Sequence, residues 1–386
     1  MLTPELSIVI PCLNEAESLP FCLDKAFSFI SKNMIDGEVI LVDNGSTDGS
    51  ATIARQLNAT VVEESEKGYG NALMSGIKSA KGKYIIIGDA DDSYDFSDLM
   101  NFLLLLRQDY ELVVGNRFKG GIEKGAMPFL HRYVGNPFLS FVGKLFFKIP
   151  INDFHCDIRG FQRKAILELK LRTTGMEFAS EMIVKAALSD LKITETPVIL
   201  YPDKRNRKSH LRTWRDGWRH LRFLLLYSPR WLFFYPGIFL LTLGLIGTIL
   251  LIPGTVLLGT KRLDVHTLVY TSAFILAGFQ FVAFYIFSRL YAYTHGLLPA
   301  NEKFLSGFKK YFRLETGVFA GFFFIIAGIL LMMRSFLYWK QVHFGNLDPV
   351  VVLRWVIPSS TMIILGLQMI MTFFYLSFLS IKSKST

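Results

Sequence analysis

Through the first 230 residues short apolar runs alternate with longer mixed segments, and from Trp231 onward the chain becomes almost wholly apolar. Leu6-Ser7-Ile8-Val9-Ile10-Pro11 reads as a strand closed by proline. Similar runs recur at residues 38–42, 60–63, 83–87 and 112–115, with helical patterns between them at 18–30, 50–57, 68–80 and 97–107. Short continuous apolar runs mark strands buried on both faces. Their alternation with helices predicts an α/β domain built on a mostly parallel sheet. In the second half four stretches, about 231–258, 267–292, 317–334 and 355–380, approach or exceed the roughly 20 residues that a spanning helix needs. The expected organisation is an α/β domain over 1–203, a basic amphipathic segment over 204–230, and an α-helical transmembrane domain of four helices over 231–386.

Charge sharpens the joint between the halves. The formal net charge is +10, and Lys204, Arg205, Arg207, Lys208, Arg212, Arg215, Arg219, Arg222 and Arg230 fall within it. On a helix, Arg212, Arg215, Arg219 and Arg222 form one stripe beside Trp214, Trp218, Leu221 and Leu225. That is the pattern of a helix lying in a membrane interface among lipid phosphates. Nucleic acid suits basic-plus-aromatic segments too. The apolar span that begins at once, at Trp231, favours membrane lipids, and no nucleic-acid partner is expected. The second connector carries Lys303, Lys309, Lys310 and Arg313 and the tail Lys382 and Lys384, against Lys261 and Arg262 in the first connector. Positive residues stay inside, so the amino-terminal domain and tail of this multi-pass protein are expected in the cytoplasm. The short, acidic start without a long apolar run agrees with that expectation. Cys12, Cys22 and Cys156, odd in number and scattered, form no disulfide framework.

Polar loops after parallel strands gather along one sheet edge, where ligands bind in open α/β sheets. Asn14, Glu15, Asp43, Ser46, Asp48 and Asp89 to Asp92 are expected there. Asp89 and Asp91 follow an apolar strand two residues apart. Such carboxylates suit Mg²⁺ or Mn²⁺, a hard cation that fills its shell with substrate phosphates; the alternative is a solvated acidic turn. Lys67-Gly68-Tyr69-Gly70 at a helix start offers amides and a cation to phosphate. Neither a Walker loop nor a Gly-x-Gly-x-x-Gly dinucleotide turn is present.

Ile8-Val9-Ile10-Pro11 with Asn14-Glu15, then Val42-Asp43-Asn44-Gly45-Ser46-Thr47-Asp48-Gly49, then Gly88-Asp89-Ala90-Asp91-Asp92, in that order, resemble the family 2 glycosyltransferases of GT-A (Rossmann-like) fold. The resemblance implies that Asp43 contacts a nucleobase, that Asp89 lies by ribose and sugar, and that Asp91 binds the metal on the donor diphosphate. Pro11, Asn14, Glu15, Ser46, Lys67, Gly68 and Ala90 join the expected donor site, with Asp89 beside Asp91 as metal ligands. The family more often has Asp at Asn44. Within it, Gly115-Asn116-Arg117-Phe118, Arg132, Asn136 and Asp153-Phe154-His155-Cys156-Asp157-Ile158-Arg159-Gly160-Phe161 resemble dolichol-phosphate mannose and glucose synthases and their bacterial relatives. The likeness covers residues 6–230. It implies an inverting, metal-dependent transfer of a hexose from UDP-glucose or GDP-mannose to a polyprenyl phosphate, with glucose slightly favoured.

Asp91, Arg117, Arg132 and Asp153 are the expected catalytic set. Arg117, Arg132, Asn136 and Arg159 would meet the acceptor phosphate, and Arg205, Arg207 and Ser209 the diphosphate. Asp157 stands where glycine is usual, a substitution that matters if the backbone there needs positive φ. Glu177 and Glu181 share a helix face that looks either to the site or to solvent. Two rival readings remain. One is transfer to a glycerolipid or polysaccharide, although Arg354-Trp355 lacks the Gln of Gln-x-x-Arg-Trp. The other is a non-catalytic membrane scaffold. Oligomeric state is not readable.

Overall fold

The structure is a computed structural model that describes residues 3–203, 213–295 and 312–380. Arg205, Arg207 and Ser209, with Lys303, Lys309, Lys310, Lys382 and Lys384, lie outside the described residues. The chain divides into two compact units, 1–227 and 228–386.

The first unit is an α/β domain on a mostly parallel eight-stranded sheet of order β3-β2-β1-β4-β7-β5-β8-β6. The strands are β1 (Leu6–Cys12), β2 (Gly37–Asp43), β3 (Thr60–Glu63), β4 (Tyr84–Ile87), β5 (Leu112–Asn116), β6 (Gly121–Ile122), β7 (Arg159–Gln162) and β8 (Ile193–Leu200). β1 is buried at every residue and pairs in parallel with β2 and β4, which is why it reads as an unbroken apolar run. Helices α1 (Leu19–Lys32), α2 (Ser50–Gln56), α3 (Tyr69–Ser79) and α4 (Met100–Arg107) lie where the periodicity predicts helices, though α4 starts three residues late. β7 was not anticipated. It runs antiparallel between β4 and β5, and its Gly160 lets Phe102 and Leu106 close on the backbone, since a Cβ there would meet their side chains at 3.3 and 3.1 Å.

Because β7 runs against its neighbours, the segment just before it, residues 153–158, reaches the same sheet edge as the carboxyl ends of β1, β2, β4 and β5. Five further helices complete this unit: α5 (Arg117–Gly120), α6 (Asn136–Phe147), entered through one π-helical turn at His131–Gly135, α7 (Arg163–Glu168), α8 (Phe178–Leu188) and α9 (Thr213–Tyr227).

The second unit holds four helices long and apolar enough to cross a membrane: Arg230–Leu251, Val265–Thr294, Leu314–Gln341 and Pro349–Ser380. The first stops short of the expected residue 258. Pro253 and Gly254 break it, and Val256–Leu258 pairs with Lys261–Leu263 as a small hairpin. Arg354 holds this connector: it donates to the Leu251 carbonyl at 2.6 Å and to Asp264 at 2.5 Å. The third and fourth helices approach backbone to backbone. A Cβ on Gly366 would lie 2.5 Å from the Gly321 carbonyl oxygen, so close packing rather than side-chain bulk joins them.

Candidate active site

The loops after β1 and β2 brace one another. Asn14, at φ 59°, accepts from the Thr47 amide at 2.7 Å and donates its own amide to Ser46 Oγ at 2.9 Å. The buried Asp43 carboxylate accepts from the Ser46 amide at 3.2 and 3.3 Å. Glu15, also buried, donates its amide to Ser50 Oγ at 3.1 Å. Asn44 has three partners. Its amide group donates to the Glu64 and Glu66 carbonyls at 3.0 and 2.8 Å, and its oxygen accepts from the Gly68 amide at 2.8 Å. An aspartate there lacks those donors, so the departure from the commoner family residue secures the exit of β3 and the start of α3.

That last contact revises one expectation. The Gly68 amide serves Asn44, and those of Gly70 and Asn71 serve the Thr174 carbonyl at 2.9 and 3.4 Å. The backbone at the start of α3 is therefore engaged within the fold instead of presenting those amides to a phosphate.

The acidic loop after β4 is tightly held. Asp89 accepts from Tyr69 Oη at 3.1 Å. Asp91 turns its Oδ1 onto the Ser93 amide and hydroxyl at 3.0 and 2.5 Å, an Asx turn that fixes the carboxylate. Asp92, at φ 60° and 2% exposed, is paired with Lys25 at 2.7 Å. Ser18 on the other side donates to the Ala90 carbonyl at 2.6 Å. Lys25, Tyr69 and Ser93 were not singled out from sequence. Only Ser93, two residues after an aspartate, carries a local signal; the other two act from helices distant in the chain.

Behind this loop lies a buried ion pair. Arg117 Nε and Nη2 each donate to Asp153 at 2.7 Å, and the Arg117 amide adds a third bond at 3.0 Å. Arg117 is 6% exposed and Asp153 0%. Asp153, expected in the catalytic set, holds an arginine. Burial raises the Asp157 carboxyl, Arg117 and Arg159 pull it back down, and Asp91 and Asp153 add to the rise. The loop before β7 thus shares its field with the acidic loop. Asp157 is not at positive φ, so its replacement of the usual glycine imposes no left-handed backbone.

Arg159 departs from its expected role. Its guanidinium donates to the carbonyls of Cys156 at 2.8 Å, Phe154 at 3.3 Å and Ala179, and it is 1% exposed. It organises the loop instead of meeting a phosphate. Glu181 likewise faces neither site nor solvent: it is fully buried and accepts from Lys185 at 2.8 Å, Thr173 at 2.7 Å and the Arg172 amide at 2.9 Å. Arg132 lies half-buried on the π-helical turn, its guanidinium 5.5 Å from the Tyr133 ring centre. Asn136 begins α6 and donates to Met127 Sδ at 3.5 Å.

Comparison with known proteins decides the family. The profile of Glycosyl transferase family 2 matches residues 7–169, and that of the Glycosyltransferase family 2 C-terminal transmembrane region matches residues 286–380. Low-salt glycan biosynthesis hexosyltransferase Agl6 of Haloferax volcanii is 35% identical over 97% of this chain and 89% of its own. The chain belongs to the family 2 glycosyltransferases. From the same organism, dolichyl-phosphate hexose transferase is 27% identical over 50% of this chain and 82% of its own. Among solved structures, glucosyl-3-phosphoglycerate synthase from Mycobacterium tuberculosis in complex with Mn²⁺, UDP and glucosyl-3-phosphoglycerate covers 58% of this chain and 78% of its own, at 18% identity and TM-score 0.45. With its apolar helices, this family 2 glycosyltransferase is an integral membrane protein.

For this glycosyltransferase the fit of a divalent cation is a question of donor chemistry. Asp89 and Asp91 carry carboxylates, the hard oxygen donors that Mg²⁺ and Mn²⁺ take. Among the described residues no three His, Cys, Asp or Glu side chains gather to hold an ion alone.

Proposed function

We propose that this family 2 glycosyltransferase moves a hexose from a nucleotide-sugar, UDP-glucose or GDP-mannose, to a polyprenyl phosphate such as undecaprenyl or dolichyl phosphate. The product is a lipid-linked sugar for glycan or cell-envelope synthesis. The observation that carries the reading is the convergence on one sheet edge of Asp43, Asp89 and Asp91 with the Arg117–Asp153 pair, in a chain with four apolar helices. The relatives named as a hexosyltransferase and a dolichyl-phosphate hexose transferase support it.

In this mechanism Asp43 receives the base, and Asp89 and Asp91 would hold Mg²⁺ or Mn²⁺. The bound cation would neutralise the donor diphosphate as charge builds on its leaving oxygen. The acceptor phosphate is already anionic, so an oxygen attacks the anomeric carbon without a general base. One C–O bond forms, the bond to diphosphate breaks, and the nucleoside diphosphate leaves with the electron pair. A single displacement inverts the anomeric centre. The protein's work is to position two anions and offset their repulsion. Arg132 grips the acceptor phosphate, with Asn136 beside it. Arg117 shapes the field from its buried pair with Asp153, and Arg205, Arg207 and Ser209, outside the described residues, are assigned to the donor diphosphate. The catalytic domain and tail lie in the cytoplasm, by the distribution of Lys and Arg.

The test supplies purified protein with labelled UDP-glucose or GDP-mannose, a polyprenyl phosphate, and Mg²⁺, Mn²⁺ or chelator. One donor should label the lipid in a cation-dependent way. Hydrolysis of both donors, or indifference to both, would overturn the reading; label on a glycerolipid or polysaccharide would move it to another acceptor.

A further inference from the structure

One carboxylate at the catalytic edge has no task in the proposed transfer. Asp157 lies in the segment before β7, between Cys156 and Ile158, which are 0% and 2% exposed. Both neighbours press on the backbone of β5: a Cβ on Gly115 would meet Cys156 Sγ at 2.7 Å and Ile158 Cγ2 at 2.8 Å. Asp157 itself is half-buried. The strand ladders fix its height. β7 pairs with β4 as far as Ile87 and Arg159, and the Gly115 amide of β5 donates to the Ile158 carbonyl at 3.0 Å. Asp157 therefore stands two residues beyond the last pair on β7, as Asp89 does on β4. Its charged neighbours are Arg117, Arg159, Asp91 and Asp153, and the Tyr69 hydroxyl also lies in its field. The donors among them are turned elsewhere. Arg117 serves Asp153, all three guanidinium nitrogens of Arg159 serve carbonyls, and Tyr69 Oη serves Asp89. Among the described residues no hydrogen bond or ion pair reaches the Asp157 carboxylate. A partly desolvated anion without a donor costs stability until a ligand supplies one.

We infer that Asp157 is a specificity-determining residue of this site, and that its carboxylate accepts a hydrogen bond from a hydroxyl of the donor hexose. The inference rests on the nucleotide-sugar donor proposed above. The setting selects the ligand. Asp91 and Asp153 share the field of Asp157, and the arginines beside it are committed, so another anion, diphosphate or acceptor phosphate, finds repulsion there. A cation is not the ligand either, because among the described residues no three acidic side chains gather to hold one. What fits is a neutral donor, whose bond to a carboxylate is stronger than one to an uncharged oxygen. Position separates the hexose from the rest of the nucleotide-sugar. In the sheet order β2-β1-β4-β7, Asp43 ends β2, so the base end lies away from β7 and the sugar end towards it. Where the usual glycine offers a sugar no side chain, Asp157 adds a contact of this chain's own.

The test reads binding to the full chain in detergent, with Mg²⁺ or Mn²⁺ and without acceptor, by titration calorimetry. The parent, D157G and D157N are each titrated with the preferred donor, UDP-glucose or GDP-mannose, and with the matching UDP or GDP. D157G should weaken the nucleotide-sugar by about tenfold or more and leave the nucleoside diphosphate within about twofold of the parent. D157N, whose amide oxygen still accepts, should fall between. Neither variant should unfold at a lower temperature than the parent, since no bond within the protein is lost. Equal weakening of both ligands would put Asp157 on the diphosphate or its cation and overturn the inference. So would unchanged affinity for the nucleotide-sugar, or a lower unfolding temperature in both variants, the mark of a structural partner. Variants indistinguishable from a parent that labels polyprenyl phosphate would sink the inference and spare the proposed function. The predicted losses in a protein that labels no polyprenyl phosphate would discard the acceptor assignment alone.

Discussion

Asn44 shows how much one side chain can hold together. Its three bonds join the end of β2 to the exit of β3 and the start of α3. N44D removes both donated bonds and sets a carboxylate against two carbonyls, so stability should fall by about 1–3 kcal/mol, read by thermal unfolding in detergent. Asp153 is the other structural keystone: D153A would strand Arg117 without its partner in the interior and cost about 3–5 kcal/mol. Asp91 belongs to the other class, because its proposed role is on the donor. D91N keeps size and fold, should leave the unfolding temperature near that of the parent, and should lower turnover by about a thousandfold or more. A cellular role kept intact by D91N would speak for the scaffold reading. At this scale the sequence was informative where chemistry is local. Asp89 and Asp91 follow their strand directly, whereas the partners of Asn44 lie 20 to 24 residues away and leave no periodic trace.

At the scale of elements, the segment before β7 joins α9 to the site. His155 and His220 lie ring to ring at 4.5 Å, and His220 Nδ1 is 2.9 Å from Ser180 Oγ on α8. Burial, with the positive charges of His220, Arg117 and Arg159, holds His155 well below the usual histidine range. A base with a lower pKa folded than unfolded binds more protons when unfolded, so this contribution to stability is present above about pH 6.5 and is lost as pH falls below it. The unfolding temperature should therefore drop between pH 7 and pH 5, and H155F should flatten that drop; equal slopes in parent and variant would count against it. In the membrane unit, G366V drives side-chain atoms into the Gly321 backbone and should part the third and fourth helices, seen as loss of folded protein in detergent. The elements sequence missed have physical reasons. β7 is Arg-Gly-Phe-Gln, without the branched residues that mark strands. α6 exposes phenylalanine and leucine on its outer face, so apolar periodicity does not announce it.

For the whole molecule, composition alone separated a mixed α/β half from an apolar half, and spacing gave four spans. The finer joint was less legible, because α9 counts with the first unit and the division falls at 227 and 228. The account stands or falls on what the catalytic edge hands its sugar to. The most direct measurement is mass spectrometry of the lipid extracted after the purified protein has met its preferred nucleotide-sugar, a polyprenyl phosphate and Mg²⁺ or Mn²⁺. The account predicts a polyprenyl phosphate heavier by one anhydrohexose, absent with D91N. Unchanged polyprenyl phosphate alongside free hexose and nucleoside diphosphate would contradict it.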